Sequence, residues 1–210
     1  MSAPIFALFA KPPIPGRSKS RLGADIGPDE SARLARAFLL DSHRILQDLD
    51  WATVLLSSSQ AEGMPVPGEV WVQCDGDLGA KIEHTMREAL ERAPYAFAVG
   101  ADSPGMPARF FEAARRAMAD HDAVIGPSDD GGFYLLGLDR CPPGLLADLP
   151  WSSEQTAAAT ISRLLEEGFS VSVLEKWWDV DTVRDLDRLR EHVRNNPTLA
   201  PETFAALGLR

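Results

Sequence analysis

The sequence predicts a single α/β domain built on a mixed, mainly parallel sheet that is flanked by helices. Short apolar runs alternate along the chain with longer segments of helical periodicity, a pattern typical of parallel sheets covered by helices. The composition is 45% hydrophobic and 25% charged, as in ordinary globular proteins. The length of 210 residues is sufficient for one sizeable core but would be cramped for two. We therefore expect residues 1–210 to form one domain.

The strand predictions rest on apolar runs of strand length that are bounded by turn-forming residues. The first run reads IFALFA and ends where a segment rich in proline and positive charge begins. The predicted strands lie at 5–10, 53–57, 69–73, 96–100, 123–126, 133–138 and 170–174.

The helix predictions rest on helical spacing of apolar residues and on signals for helix starts. The first long helix is expected to begin near Pro28, because a proline followed by Asp29 and Glu30 suits a first helical turn. Further helices are predicted at 78–92, 107–120, 153–167, 183–194 and 201–207.

The segment 11–22, KPPIPGRSKSRL, concentrates positive charge in a chain whose formal net charge is −10. Three prolines stiffen the segment and Gly16 lets the backbone turn. Ligands collect at the carboxyl ends of strands in open parallel sheets, and lysine and arginine are suited to grip phosphate oxygens. We interpret the segment as a phosphate-binding loop, with a solvated basic loop as the alternative. Its cations are Lys11, Arg17, Lys19 and Arg21.

The overall charge and the cysteine content exclude several classes of protein. A net charge of −10 argues against a general nucleic-acid or membrane-surface binder, because polyanions would be repelled. Cys74 and Cys141 lie far apart without a CxxC pair, so neither zinc nor a disulfide framework is predicted. The N-terminal apolar run is too short for a signal sequence, and no apolar run reaches the roughly 20 residues that span a bilayer. We expect a cytoplasmic protein.

Asp102 follows the predicted strand at 96–100 and is a candidate metal ligand. Mg²⁺ prefers oxygen ligands and usually takes only one or two protein carboxylates. Alternatively, Asp102 caps the next helix or forms a turn through its own side chain.

A second acidic motif, Trp177 to Thr182, places Asp179 and Asp181 on one side if the chain is extended there. Together with Asp102, these carboxylates are predicted to bind one or two ions, Mg²⁺ or else Mn²⁺. The alternative is that Thr182 and Asp185 form a helix cap. That cap leaves Asp179 unexplained, so we prefer Asp179 to Asp181 as a ligand.

The segment 127–134, PSDDGGFY, joins two predicted strands. Asp-Gly-Gly is a strong turn signal, and a simple connection would need nothing more. Two acids before two glycines also permit close approach to a ligand, so we interpret the segment as a substrate loop. The residues concerned are Asp129, Asp130, Gly131 and Gly132.

These blocks, in this order, resemble a bacterial family of GT-A-fold transferases, known as glycosyltransferase-like or selenodomain-associated transferases. The family pattern contains a lysine, a proline-glycine pair and K-S/T-R-L, then G-x-D-x-P, D-G-G-F/Y-Y-L-L-G, P-W-S-S/T and D-V-D-T-x-x-D-L. The matching stretches are Lys11, Pro15-Gly16, 19–22, 100–104, 130–137, 150–153 and 179–186. The resemblance implies a GT-A (Rossmann-like) fold and membership of the nucleotide-diphospho-sugar transferase superfamily.

The resemblance further implies a transferase that uses a nucleotide and a small-molecule acceptor. Members of the superfamily transfer either nucleotidyl groups or sugars, and the fold does not decide between them. Metal-dependent glycosyltransferases of this fold carry D-x-D where this chain has the single acid Asp102, and the dense cations suit a triphosphate. We therefore expect nucleotidyl transfer from a nucleoside triphosphate to a phosphorylated or hydroxyl acceptor, with pyrophosphate released.

The expected catalytic residues are Lys19, Asp102 and Asp130. Lys11, Gly16, Arg17 and Arg21 would bind the phosphates, and Asp129, Gly131 and Gly132 would face the acceptor. The alternatives are sugar transfer from a nucleotide-sugar and a regulatory protein that binds a nucleotide without turnover.

Overall fold

The computed structural model describes residues 2–209, and a seven-stranded sheet forms the centre of that part of the chain. The strands are β1 Ile5–Phe9, β2 Thr53–Ser58, β3 Val70–Val72, β4 Ala96–Gly100, β5 Ala123–Pro127, β6 Phe133–Leu138 and β7 Val171–Val173. The helices are α1 Ser20–Ile26, α2 Pro28–Gln47, α3 Leu78–Leu90, α4 Arg109–Ala117, α5 Thr156–Glu166, α6 Val183–Asn195 and α7 Pro201–Ala206.

The strand order is β3-β2-β1-β4-β6-β5-β7. Strands β1 to β4 run parallel, and β5 pairs in parallel with β7. Strand β6 lies antiparallel between β4 and β5. The predicted mixed, mainly parallel sheet is therefore confirmed.

Side chains of the central strands enter two different cores on the two faces of the sheet. Along β1, Ile5 and Ala7 pack with residues of α3, whereas Phe6 and Leu8 pack with residues of α2 and α4. A strand that is buried on both faces needs apolar residues at every position, which explains the unbroken apolar runs.

The carboxyl ends of β1 and β4 meet at one edge of the sheet, where Phe9 pairs with Gly100. A C-terminal segment crosses the same edge. The Trp177 amide donates to the Pro127 carbonyl at 3.1 Å, and the Val180 amide donates to the Asp102 carbonyl at 2.9 Å. Residues from the N-terminus, the middle and the C-terminal third of the chain thus converge there.

The strand predictions agree with the structure to within one residue at each end, and the long helices begin and end close to their predicted positions. Two predictions were wrong. The cationic segment was expected to be a loop throughout, but Ser20–Ile26 is the helix α1. Helix α5 begins at Thr156, later than predicted, because a turn precedes it in which the Ser153 hydroxyl donates to the Pro150 carbonyl at 2.7 Å.

Within residues 2–209, every helix is too short or too polar to cross a membrane.

Candidate functional site

A cavity of about 540 Å³ opens at the edge where β1 and β4 end. This volume lies in the range of pockets that hold small molecules. Its lining includes charged side chains of both signs. The cations are Lys11, Lys19, Arg21 and Lys81, and the acids are Asp102, Asp179 and Asp181.

Lys19 joins the basic and acidic parts of the cavity. It stands at the N-cap of α1 in a left-handed conformation, φ 48° and ψ 48°, and its side chain is only 6% exposed. Its Nζ lies 2.7 Å from Asp102 Oδ1 and 3.0 Å from Asp181 Oδ1. Burial opposes the positive charge, but the negative charges of Asp102 and Asp181 outweigh it and raise the pKa of Lys19. The ammonium is therefore protonated at neutral pH.

The two acids that hold Lys19 remain open to the cavity. The side chains of Asp102 and Asp181 are 56% and 41% exposed, respectively. Arg21 approaches from the outer side, with its Nη1 4.0 Å from Asp181 Oδ2. A buried ammonium thus supports two carboxylates that face the space a ligand would occupy.

Asp179 is the most perturbed acid of the site. Burial, reinforced by the negative charges of Asp102 and Asp130, raises its pKa to about 6. The hydrogen bond that its Oδ1 accepts from the Ser103 hydroxyl and the charge of Lys19 act in the opposite direction. Desolvation prevails, so Asp179 changes its charge in mildly acidic solution.

The predicted metal ligands do not form a closed cage. Among residues 2–209, no group of three acidic, histidine or cysteine side chains is arranged to hold a metal ion. The Lys19 ammonium forms ion pairs with Asp102 and Asp181, and the Ser103 hydroxyl donates a hydrogen bond to Asp179.

A divalent ion nevertheless fits this set of side chains. Mg²⁺ needs only one or two protein carboxylates when phosphate oxygens and water complete its shell. Asp102 and Asp181 already surround a cation, the Lys19 ammonium, which shows that their oxygens converge on a positively charged group.

The DDGG segment, interpreted above as a substrate loop, makes several contacts within the chain. The Asp129 carboxylate forms an ion pair with Arg188, at 2.8 Å. Asp129 is not among the residues that line the cavity. Asp130 Oδ1 accepts from the Ser128 hydroxyl at 2.5 Å and from the Gly132 amide at 3.0 Å, which closes the turn.

The glycines of this segment are explained by packing within the chain. Gly131 has φ +87°, and a Cβ at this position would clash with the backbone of Glu154. A Cβ at Gly132 would crowd Asp130 and Ser128. Gly131 therefore lies directly against the turn before α5.

The predicted phosphate-binding residues fall into two groups. Lys11, Lys19 and Arg21 line the cavity, whereas Gly16 and Arg17 lie in the exposed turn before α1, outside the wall of the cavity. Gly16 has φ +75°, so its role as a turn residue agrees with its conformation.

Sequence reasoning missed Gln73, Lys81 and Ser152, which also line the cavity. Lys81 lies in the first turn of α3, the helix that Asp77 caps by accepting from the Ala80 amide at 2.8 Å. Its position soon after β3, at the same sheet edge, is the signal that could have identified it.

Comparison with known proteins agrees with this architecture. The family described as "Uncharacterized protein conserved in bacteria (DUF2064)" matches residues 51–153, just under half of the chain. A candidate nucleotide-diphospho-sugar transferase from Desulfovibrio desulfuricans G20 is 29% identical, with a TM-score of 0.90 over 99% of this chain and 94% of that one. The chain has a nucleotide-diphospho-sugar transferase fold. The resemblance to GT-A-like transferases expected from the sequence is thus confirmed.

More distant structures share this transferase fold. CMP:2-keto-3-deoxy-manno-octonic acid synthetase complexed with CTP is 14% identical, with a TM-score of 0.61 over 93% of this chain and 100% of that one. The Mycobacterium tuberculosis protein Rv0371c in complex with manganese is 16% identical, with a TM-score of 0.54 over 91% and 100% of the two chains. At these identities the likeness concerns the fold alone. Comparison with curated proteins gave no match.

Proposed function

We propose that this chain is a metal-dependent nucleotidyltransferase that transfers a nucleotidyl group from a nucleoside triphosphate to a small phosphorylated or hydroxyl acceptor. The observation that carries the proposal is the distribution of charge around the cavity. Lys11, Lys19 and Arg21 approach it from the segment after β1, and Lys81 approaches it from α3. The acids Asp102, Asp179 and Asp181 lie beside them. A polyphosphate with a divalent ion needs both kinds of group in one cavity.

The reaction would proceed by displacement at the α-phosphorus. An oxygen of the acceptor forms a bond to this phosphorus while the bond to the bridging oxygen of the β-phosphate breaks. Pyrophosphate leaves with the electron pair, and a hydroxyl acceptor releases its proton to solvent. Catalysis of this kind depends mostly on positioning and on neutralising charge. Lys11 and Arg21, both exposed to the cavity, would bind the β- and γ-phosphates, and Lys19 would neutralise charge closer to the acids.

Asp102 and Asp179 would hold the divalent ion, Mg²⁺ or Mn²⁺, with Asp181 beside them. When bound, such an ion neutralises phosphate oxygens and polarises the phosphorus. Support comes from the convergence of Asp102 and Asp181 on a cation and from the manganese complex of a protein with the same fold. Asp130 acts at a distance in this scheme, because its charge contributes to the raised pKa of Asp179.

Sugar transfer from a nucleotide-sugar is the second candidate. One observation favours it: the 29% identical relative is named as a candidate nucleotide-diphospho-sugar transferase. In that case the same cations and acids would bind a diphosphate, and the nucleoside diphosphate would be the leaving group.

Thermal unfolding with a ligand panel tests the proposal. The panel contains the four nucleoside triphosphates, common nucleotide-sugars and nucleoside diphosphates, each with and without Mg²⁺ or Mn²⁺. A ligand at about 100 times its dissociation constant stabilises the fold by about 2.7 kcal/mol, which is readily measured. We expect one triphosphate to stabilise most, and only with the metal.

Variants locate the binding site. Asp102→Ala is expected to abolish the stabilisation by the metal-triphosphate and Lys19→Ala to weaken it, whereas Lys176→Ala, an exposed lysine outside the cavity, should keep it. Equal stabilisation of Lys19→Ala, Asp102→Ala and the wild type by the metal-triphosphate would disprove the assignment. Selective stabilisation by a nucleotide-sugar would establish sugar transfer instead.

A further inference from the structure

We propose that Lys19 is a built-in counter-cation that holds Asp102 and Asp181 before a nucleotide binds and competes with a divalent ion for Asp102. The arrival of the triphosphate then draws the ammonium toward the phosphates, so that nucleotide and metal bind cooperatively. The competition stands on the geometry of the three side chains. The coupling to nucleotide rests on the proposed function.

The geometry of Lys19 is that of an ion held in a site. Its ammonium lies 2.7 Å and 3.0 Å from one oxygen each of Asp102 and Asp181, and only 6% of its side chain is exposed. The two acids come from distant parts of the chain: Asp102 follows β4, and Asp181 precedes α6. A single cation therefore bridges two elements at the cavity wall.

A divalent ion on Asp102 would meet this ammonium directly. Asp102 Oδ1 is the oxygen nearest to the Lys19 ammonium, and that group is buried and charged. An ion that used the same oxygen would be repelled by a positive charge that solvent screens poorly. The ion gains full access to Asp102 only if the ammonium moves away.

Lys19 can move its charge without disturbing the fold. Its backbone is anchored, because its carbonyl accepts from the Gly23 amide at 2.7 Å and Leu22, in the first turn of α1, is fully buried. The side chain has four flexible methylene groups and carries a point charge rather than a fixed fork. Phosphate oxygens in the cavity would offer the ammonium new partners within reach of the same backbone position.

Binding of Mn²⁺ alone, followed by the electron paramagnetic resonance signal of free Mn²⁺, tests the competition. Lys19→Gln removes the charge but keeps a polar side chain, and it should bind Mn²⁺ about tenfold more tightly than the wild type. Lys19→Arg keeps the charge and should bind as weakly as the wild type. Lys176→Gln, the same change of charge outside the cavity, should also leave the affinity unchanged.

Two further arms make the outcome decisive. Adding Asp102→Asn to Lys19→Gln should abolish the gained affinity, which places the ion on this carboxylate. Lys19→Met provides a second neutral variant should Lys19→Gln fail to fold, as checked by circular dichroism. Equal Mn²⁺ affinities in the wild type and in the folded neutral variants would overturn the proposal.

The coupling is measured by repeating the titration with the triphosphate that stabilises the protein most. The nucleotide should tighten Mn²⁺ binding to the wild type more than to Lys19→Gln, in which the competing charge is already absent. If Lys19→Gln binds Mn²⁺ more tightly but no triphosphate binds either protein, the competition holds and the proposed function fails. Equal tightening in both proteins would overturn the coupling.

Discussion

At the scale of single residues, Asp179 shows how the surroundings of the site change the chemistry of a carboxyl group. Its ordinary pKa of 3.8 is raised to about 6, chiefly by burial and by the neighbouring charges of Asp102 and Asp130. The folded protein therefore holds a proton here at pH values where the unfolded chain has lost it. The free energy of unfolding falls as the pH rises from about 4 to about 6, since the ionised form is less well tolerated in the fold.

We predict that Asp179→Asn removes this part of the pH dependence. The amide oxygen can still accept from Ser103, while the charge is gone. Between pH 4 and pH 7 the free energy of unfolding of the wild type should fall by about 2 to 3 kcal/mol because of this group. The variant should not show this fall. Urea denaturation across that range, in EDTA, measures the difference. Parallel pH profiles for the two proteins would show that Asp179 titrates normally.

The individual charges of the site could be predicted from the sequence, but their partners could not. Asp102 is recognisable because it follows an apolar strand, Asp181 because it precedes the capped helix α6, and Lys19 because it belongs to the cationic segment after β1. That Lys19 bridges the two acids could not be predicted, because Lys19 and Asp181 are 162 positions apart. Asp129 was predicted to face the acceptor, and the sequence gives no sign that Arg188 holds it elsewhere.

At the scale of elements, the strands were predictable and α1 was not. The strands pack on both faces, which leaves unbroken apolar runs in the sequence. Helix α1 has only seven residues, contains Gly23, and follows Lys19 rather than Ser, Thr, Asp or Asn at its N-cap. Its helical state follows from tertiary packing of Leu22, which local sequence rules do not register.

The turn between β5 and β6 leads to a second prediction, on Gly131→Ala. Gly131 and Gly144 both have positive φ, at +87° and +83°. At Gly144 an added Cβ meets no heavy atom of residues 2–209 within 4 Å, whereas at Gly131 it would clash with the Glu154 backbone. Gly144→Ala therefore introduces backbone strain alone, and Gly131→Ala introduces the same strain together with overpacking.

We expect Gly131→Ala to lower the free energy of unfolding by about 1 to 3 kcal/mol more than Gly144→Ala does. Chemical denaturation of both variants at neutral pH gives the comparison. A matched loss in the two variants would mean that the turn before α5 can shift freely, and that Gly131 is not explained by this packing.

At the scale of the whole molecule, a separate hydrophobic cluster connects the cationic segment to the segment that carries Asp179 and Asp181. Leu22 of α1 and Val180, beside Asp179 and Asp181, are both fully buried in this cluster, together with residues of α2 and α6. The cores on the two faces of the sheet do not contain these residues. The cluster therefore fixes the distance between the cationic segment and the C-terminal acids.

This arrangement predicts that two equally buried leucines differ in their effect on binding. Leu22→Ala and Leu164→Ala each remove a side chain with no exposed surface, and each should cost about 2 to 5 kcal/mol of stability. Leu164 packs in a core of the sheet and is not part of the cluster that holds Leu22 and Val180. Only Leu22→Ala loosens the element that carries Lys19, so only this variant should bind the metal-triphosphate about tenfold more weakly.

Calorimetric titration of both variants makes the measurement, at a temperature where circular dichroism shows that both are folded. Equal affinities would mean that the ion pairs of Lys19, and not the hydrophobic cluster, hold the cationic segment next to the C-terminal acids.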